Sequence, residues 1–272
     1  MVKKIVITGG FDDLRSRHIR LLEEAAKLGP LTVLLWSDGG LRRLTGAAPQ
    51  FPQAEREYVL KAIRFVSRVE LTEGPADPES LPEVAGLQPD CWVVPAAQDS
   101  AAKKSFSSAR GMEYRVFQDE ELRGFPENSP RPPAVQRKKV VVTGCYDWLH
   151  SGHVRFFEEL SGYGNLYVVV GNDANVRLLK GAPHPMQSQD ERRYAAGSVR
   201  FVTQALISSG QGWLDAEPEI ERLRPDIYAV NEDGDKGGKR EFCDRRGIEY
   251  LVLRRIPAAG LPRRSSTELR GF

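Results

Sequence analysis

The stretch VVVTGCYDWLHSGHVRFFEEL, residues 140–160, decides the fold. Its apolar start, residues 140–142, reads as a short buried strand that runs into a turn at Gly144. The tetrapeptide His150-Ser151-Gly152-His153 then opens an amphipathic helix. Histidines three residues apart at a helix start point to one face. That face adjoins free backbone N–H groups and the positive end of the helix dipole, a ready anion site. Two imidazoles over such a helix start point to chemistry on a nucleoside triphosphate.

The chain carries this pattern twice. Residues 3–24, KKIVITGGFDDLRSRHIRLLEE, align without gaps on residues 138–159, KKVVVTGCYDWLHSGHVRFFEE, with 12 of 22 positions identical. The echo continues: SDGGLRRLTG (37–46) answers NDANVRLLKG (172–181), and AEREYVLKAIRFV (54–66) answers DERRYAAGSVRFV (190–202) after a one-residue slip. LQPDCWVV (87–94) matches LRPDIYAV (223–230), and RGMEYRVF (110–117) matches RGIEYLVL (246–253). A repeat of about 135 residues is too long for a solenoid unit and marks duplication of a whole domain.

A length of 272 residues suits two domains, each able to close its own core. A hydrophobic content of 40% with 28% charged residues is ordinary for a soluble globular chain. The net charge of +2, with acids and bases interspersed, gives no argument for nucleic-acid or membrane binding. No apolar run approaches a membrane span, and the N-terminal MVKKIVITGG reads as a first strand rather than a signal peptide. Three cysteines, widely spaced and odd in number, argue for reduced thiols and a cytoplasmic protein.

Apolar strands alternate with helical patterns in each half, which predicts α/β architecture: two tandem Rossmann-like domains, each a parallel five-stranded sheet flanked by helices. Strands are expected near 139–143, 166–170, 205–207, 227–230 and 249–253, and helices near 151–161, 189–201, 216–223 and 237–246. First-half strands are expected near 3–7, 31–36, 69–71, 91–94 and 113–117. The first domain takes residues 1–125 and the second 138–272. Between them FPENSPRPPAVQR, with four prolines in thirteen residues, reads as a stiff linker whose body is 126–137.

The spaced motifs of the second half resemble those of the HxGH nucleotidyltransferase superfamily, in its cytidylyltransferase-like branch. Members acting on glycerol-3-phosphate, ethanolamine phosphate and heptose phosphate are the nearest comparisons. The resemblance spans residues 138–272 and, weakened, 3–125. It implies transfer of a nucleotidyl group, CMP favoured, from an NTP to a phosphorylated small alcohol or sugar, with release of pyrophosphate. The partners implied are CTP or ATP and the phosphorylated acceptor, with Mg²⁺ on the triphosphate. Because both reactants are anions, catalysis needs positioned cations and N–H donors more than a protein nucleophile. Carried onto this chain, His150 and His153 bind the triphosphate and stabilise the α-phosphate, and Lys180 approaches it as a mobile charge. Gly144, Cys145 and Tyr146 form the nucleotide-binding turn, and Arg192 and Arg200 match two family arginines. In RRSSTELR, Arg264, Ser265, Ser266 and Thr267 match the ST-type motif that offers hydroxyls and N–H groups to phosphates.

Plainer readings stand beside these. The two histidines could pair on a metal, yet no third ligand has suitable spacing, so no metal site is expected. Arg192 and Arg200 recur as Arg56 and Arg64 in the first half, which permits a structural role for both. Ser265, Ser266 and Thr267 could be a helix N-cap with Glu268 nearby. Cys145 answers Gly10 and reads as a small turn residue rather than a nucleophile. The acidic run NEDGDK (231–236) lacks calcium-loop spacing and aligns with a family loop after the fourth strand, or is a solvated turn.

The first half lacks the phosphate-handling set. Arg15 replaces His150, Arg17 replaces Gly152, Thr45 replaces Lys180, and residues 256–267 have no counterpart, while His18 survives. Arg17 also places a long side chain where backbone should approach phosphate. A retained fold with a dead site follows, and duplication of a paired subunit predicts that the halves dock as an internal pseudo-dimer.

Overall fold

The computed structural model describes residues 2–127 and 129–269, except the side chains of Thr267 and Glu268. Chain contacts divide it into two units, residues 1–124 and 125–272. The proline-rich segment thus groups with the second unit. Among the described residues, no helix is long and apolar enough to cross a membrane.

The first unit runs β1 (Ile5–Gly9), α1 (Ser16–Ala26), β2 (Leu31–Trp36), α2 (Asp38–Thr45), α3 (Gln53–Ala62), β3 (Arg68–Thr72), β4 (Cys91–Pro95), α4 (Ala101–Ala109) and β5 (Glu113–Phe117). The second runs β6 (Lys139–Gly144), α5 (Ser151–Tyr163), β7 (Asn165–Val170), α6 (Asp173–Lys180), α7 (Gln189–Gly197), β8 (Val202–Ile207), α8 (Glu217–Leu223), β9 (Ile227–Asn231), α9 (Lys239–Arg246), β10 (Glu249–Leu253) and α10 (Ser266–Leu269). Each unit holds one parallel sheet of five strands. The orders, β3-β2-β1-β4-β5 and β8-β7-β6-β9-β10, are the same topology. Every β6–β7 partner pair from Val140/Leu166 to Val142/Val168 is buried, as a sheet covered on both faces requires. In both sheets the order reverses beside the first strand, at β6 between β7 and β9. Such a switch point opens a crevice at the carboxyl ends of the strands.

The turn after β6 is shaped by its ring. Tyr146 takes φ +52°, an uncommon value for an aromatic residue, and Phe11 takes φ +48° at the same place in the first unit. A Cβ on Gly144 would stand 2.8 Å from the Tyr146 ring, so that position has no room for a side chain.

One buried guanidinium ties the crevice walls together. Arg192 is 0% exposed and donates from Nη1 to the Cys145 carbonyl at 2.7 Å, from Nη2 to the Gly171 carbonyl at 2.8 Å and from Nε to the Gln187 carbonyl at 3.0 Å. Its Nη2 also meets the Asp173 carboxylate at 2.7 Å. Arg56 does the same work in the first unit, bonding the carbonyls of Phe51, Gly10 and Trp36 and the carboxylate of Asp38. Arg192 is therefore a fully buried structural clamp with four of its five N–H donors committed, which corrects its assignment as a phosphate ligand. Arg200 is placed away from the cavity. It lies beside Arg131, whose guanidinium donates to the Arg200 carbonyl, and it is not among the residues around the crevice.

The proline-rich segment lies along the second unit rather than free. The Phe125 ring lies tilted against Tyr194, with centroids 6.0 Å apart, and its carbonyl accepts from Arg193 at 3.0 Å. The Arg131 N–H donates to the Thr203 carbonyl of the edge strand β8, and Ala134 exchanges two bonds with the Asn165 side chain. Proline suits such an edge because it presents no further donor for strand pairing. Two helical details depart from expectation. The helix expected over 189–201 stops at Gly197, where Ser198 turns its hydroxyl back onto the Tyr194 carbonyl. Helix α6 was not anticipated; its cap is Asn172, whose Oδ1 accepts from Asn175 N at 2.8 Å.

Replacing Arg192 by Met keeps the apolar stem but strands three carbonyls and a carboxylate. Unfolding of the second unit in denaturant should register a loss of about 3–5 kcal/mol. A loss under about 1 kcal/mol, within the range of an exposed ion pair, would contradict the clamp.

Candidate active site

Helix α5 begins at the switch point because His150 caps it. The His150 Nδ1 accepts from Gly152 N at 3.1 Å. With Nδ1 used as an acceptor, the neutral ring carries its proton on Nε2. That nitrogen is buried and has no partner among the described residues, and so is Nδ1 of His153. The two rings stack with centroids 3.9 Å apart and planes 24° apart, and Tyr146 meets His153 edge-on at 5.2 Å. Buried nitrogens without partners are costly unless a ligand satisfies them.

Both imidazoles are held neutral. Burial pushes the His153 pKa down to about 3, with Arg255 and Lys180 adding to the effect and a backbone hydrogen bond to Trp148 opposing it. His150 is held well below the ordinary histidine range by burial first, then by His153, Arg255 and Arg264. The cations that suppress protonation here are those an anion would neutralise.

A cavity of about 470 Å³ opens over this helix start. Gly144, Cys145, Tyr146, His153 and Lys180 line it, as do Ser265 and Ser266 from the far end of the chain. His150 does not reach the cavity wall. It is 2% exposed and stands behind His153. Arg264 lines a small cleft beside Ser151 and Gly152 instead. The side chain of Thr267 lies outside the described residues. Thr143, Lys180 and the serines thus converge from separate elements, β6, α6 and the segment entering α10.

Gly152 explains how the serines arrive. A Cβ there would stand 3.0 Å from the His150 ring and 3.3 Å from the Arg264 carbonyl. The absent side chain lets the 264–266 segment lie against the start of α5. The need for glycine is therefore packing of the ST segment, in addition to any approach of phosphate to backbone. Arg17 is tolerated at the equivalent first-unit position, where no such segment exists, and it turns outward to Asp119 at 2.9 Å.

Sequence reasoning missed other cavity residues. Arg255 pairs with Asp233 at 3.1 Å, and Lys236 lies over the Trp213 ring at 5.5 Å. Lys239, whose pKa burial lowers, donates to the Gly234 carbonyl at 3.2 Å. Asp215 accepts from the Ser208 hydroxyl at 2.6 Å, and burial raises its pKa. Asp233 and Lys236 lie in the NEDGDK run, so that loop faces the cavity rather than solvent alone. In the first unit His18 performs a folding task, its Nδ1 accepting from Arg15 N at 3.0 Å. The Thr45 hydroxyl bonds the Leu41 carbonyl at 2.9 Å where Lys180 stands in the second unit.

The neutral pair has a consequence for stability. Unfolded histidines protonate below about 6.5, whereas these two do not until far lower pH, so the unfolded chain binds more protons in that window. Stability of the second unit should be full above pH 6.5 and fall as pH drops toward 4, by about 1 kcal/mol per pH unit for each imidazole. Denaturant titrations of the chain and of a His150→Asn, His153→Asn double variant would show this as a shallower fall in the variant. Equal slopes would mean that the imidazoles titrate normally.

No family model matches the chain. It is 36% identical over 120 residues to a protein named FAD synthase of Ferroglobus placidus, covering 43% of this chain and 75% of that one. A protein of the same name from Aciduliprofundum boonei is 35% identical over 119 residues, covering 76% of its length. The Bifunctional protein HldE of Campylobacter curvus is 37% identical over 98 residues, which are 35% of this chain and 20% of that one. With three quarters of two FAD synthases matched, on a sheet topology whose switch point carries the HSGH helix start, this chain belongs to the cytidylyltransferase-like nucleotidyltransferases.

Proposed function

We propose that the second unit transfers an adenylyl group from ATP to a phosphorylated small molecule and releases pyrophosphate. The observation that carries this reading is the stacked pair of neutral, buried imidazoles with unpartnered nitrogens, set at a helix start and surrounded by Lys180, Arg255 and Arg264. An oxygen of the acceptor phosphate attacks the α-phosphorus. The bond from that phosphorus to the bridging oxygen breaks, and pyrophosphate leaves with the electron pair. Charge grows on the bridging and non-bridging oxygens, where fixed N–H donors and cations stabilise it most.

In this reading His153 faces the reacting phosphates directly. His150 fixes the ring of His153 by stacking and offers its Nε2–H once the triphosphate settles. Lys180, exposed at the end of α6, follows the charge to the leaving pyrophosphate. Ser265 and Ser266 bind the outer phosphates with their hydroxyls. Mg²⁺ bound to the triphosphate would shield its charge. The carboxylates near the cavity already have partners: Asp147 accepts from Met186 N and Gln187 N, Asp215 from Ser208, and Asp233 pairs with Arg255. Such a site suits a metal held chiefly by phosphate oxygens.

The choice of ATP over CTP rests on the FAD synthase relatives, because FAD contains an adenylate joined through phosphate. The same relatives favour a phosphomonoester acceptor. CTP, favoured by the likeness to cytidylyltransferases, is the comparison donor.

Pyrophosphate release should be measured with ATP and with CTP against FMN and the phosphates of glycerol, ethanolamine and heptose. ATP with at least one acceptor should give turnover, and His153→Ala should reduce it by about 10²–10³-fold. His18→Ala should leave it unchanged. Release with CTP alone would overturn the donor, and tight ATP binding with no release from any pair would overturn the activity.

A further inference from the structure

The backbone at the end of the second strand is held identically in the two units. Trp36 follows Leu35, which pairs with Gly9; Gly171 follows Val170, which pairs with Gly144. The Trp36 carbonyl accepts from Nη1 of Arg56 at 3.0 Å, as the Gly171 carbonyl accepts from Nη2 of Arg192 at 2.8 Å. Helix α2 and helix α6 then start one residue later at Ser37 and Asn172 caps, each clamped through Asp38 or Asp173. What differs is the side chain.

In the second unit Gly171 and Thr143 are both walls of the cavity. In the first unit the counterpart of Thr143 is Thr8, and the Trp36 indole Nε1–H donates to its hydroxyl at 2.7 Å. The ring therefore lies across the carboxyl end of β1, where the second unit has open space. The far side of the ring is also fitted. A Cβ on Gly74, which has φ +76°, would stand 3.4 Å from Trp36 Cγ, so the loop after β3 closes on the indole. A side chain pointing into this place with its own hydrogen bond is a built feature, since an indole N–H is normally satisfied when covered.

We infer that Trp36 is a plug: its indole fills the place in the first unit that corresponds to the nucleotide cavity of the second, so the chain holds one nucleotide site. Loss of His150, Gly152 and Lys180 equivalents removes the chemistry from the first unit, whereas Trp36 removes the space. The steric closure is independent of which donor base or acceptor the second unit uses.

Reciprocal substitutions test it. Trp36→Gly should lower the Tm of the first unit by about 5 °C, and millimolar indole should restore most of that shift, because an unfilled apolar cavity takes up a ligand of matching shape. Indole should leave the wild-type Tm unchanged, and turnover by the second unit should persist in the variant. Gly171→Trp should carry the plug to the second unit and abolish nucleotide binding by calorimetry with the circular dichroism spectrum retained. The wild-type chain should bind one nucleotide. Two nucleotides per wild-type chain, or a Trp36→Gly protein that is as stable as wild type and indifferent to indole, would overturn the inference. If Trp36→Gly fails to fold, the stoichiometry and Gly171→Trp decide: a folded Gly171→Trp protein that still binds nucleotide would refute it.

Discussion

A parallel sheet brings its strand ends to one side, but it does not by itself hold the loops beyond those ends in register. Arg192 does so here. Its planar guanidinium reaches the turn after β6, the end of β7, the loop before α7 and the first residue of α6, and the first two of these, at Cys145 and Gly171, line the cavity. A cation is suited to this because carbonyl oxygens that converge in a dry interior repel each other unless a shared donor lies between them. Arg56 makes the equivalent set of bonds in a unit that has Arg15, Arg17 and Thr45 where the second has His150, Gly152 and Lys180. The clamp therefore belongs to the fold, and chemistry is added onto the frame it holds.

The histidine pair depends on that frame in turn. Stacked rings at 3.9 Å, with His150 2% exposed behind His153, cannot both carry charge beside Arg255 and Arg264. In the proposed reading the protein presents neutral donors to an incoming anion rather than a charged cluster that would need counter-ions. Distant parts of the chain are coupled through one missing side chain. Gly152 leaves room for the Arg264 carbonyl, and this brings Ser265 and Ser266 to the cavity. Loss of the segment corresponding to 256–267 in the first half and acceptance of Arg17 there are two sides of one change.

Much of this was legible in the sequence. Parallel strands announce themselves as short Val- and Leu-rich runs, and β2, β5 and β10 lie where those runs place them. The self-alignment exposed the duplication, and with it the same strand order in both sheets. Cavity-lining Gly144, Tyr146, His153, Lys180 and Ser265 were also readable, because the resemblance to the HxGH nucleotidyltransferases points to those positions. Arg192 was not separable by spacing alone: a buried clamp and a phosphate ligand look alike as an arginine on a helix. Its recurrence as Arg56 in the first half permits the clamp without choosing it. Arg255 and Trp213 were missed because they come from segments with no periodicity, and convergence of such segments is a property of three-dimensional closure. Trp36 was missed for a related reason, since a tryptophan at a strand end reads as core until its counterpart is seen to be an open glycine.

The central claim is that a triphosphate is received by His150 and His153 and not by the surviving His18. Imidazole nitrogen NMR on the full chain, with and without ATP and Mg²⁺, tests it most directly, since only four histidines need assignment. The account predicts that His150 and His153 shift together on nucleotide addition, with the His150 Nε2–H becoming hydrogen-bonded and slow to exchange, while His18 stays in place. Unmoved signals from His150 and His153, or a shift confined to His18, would contradict it.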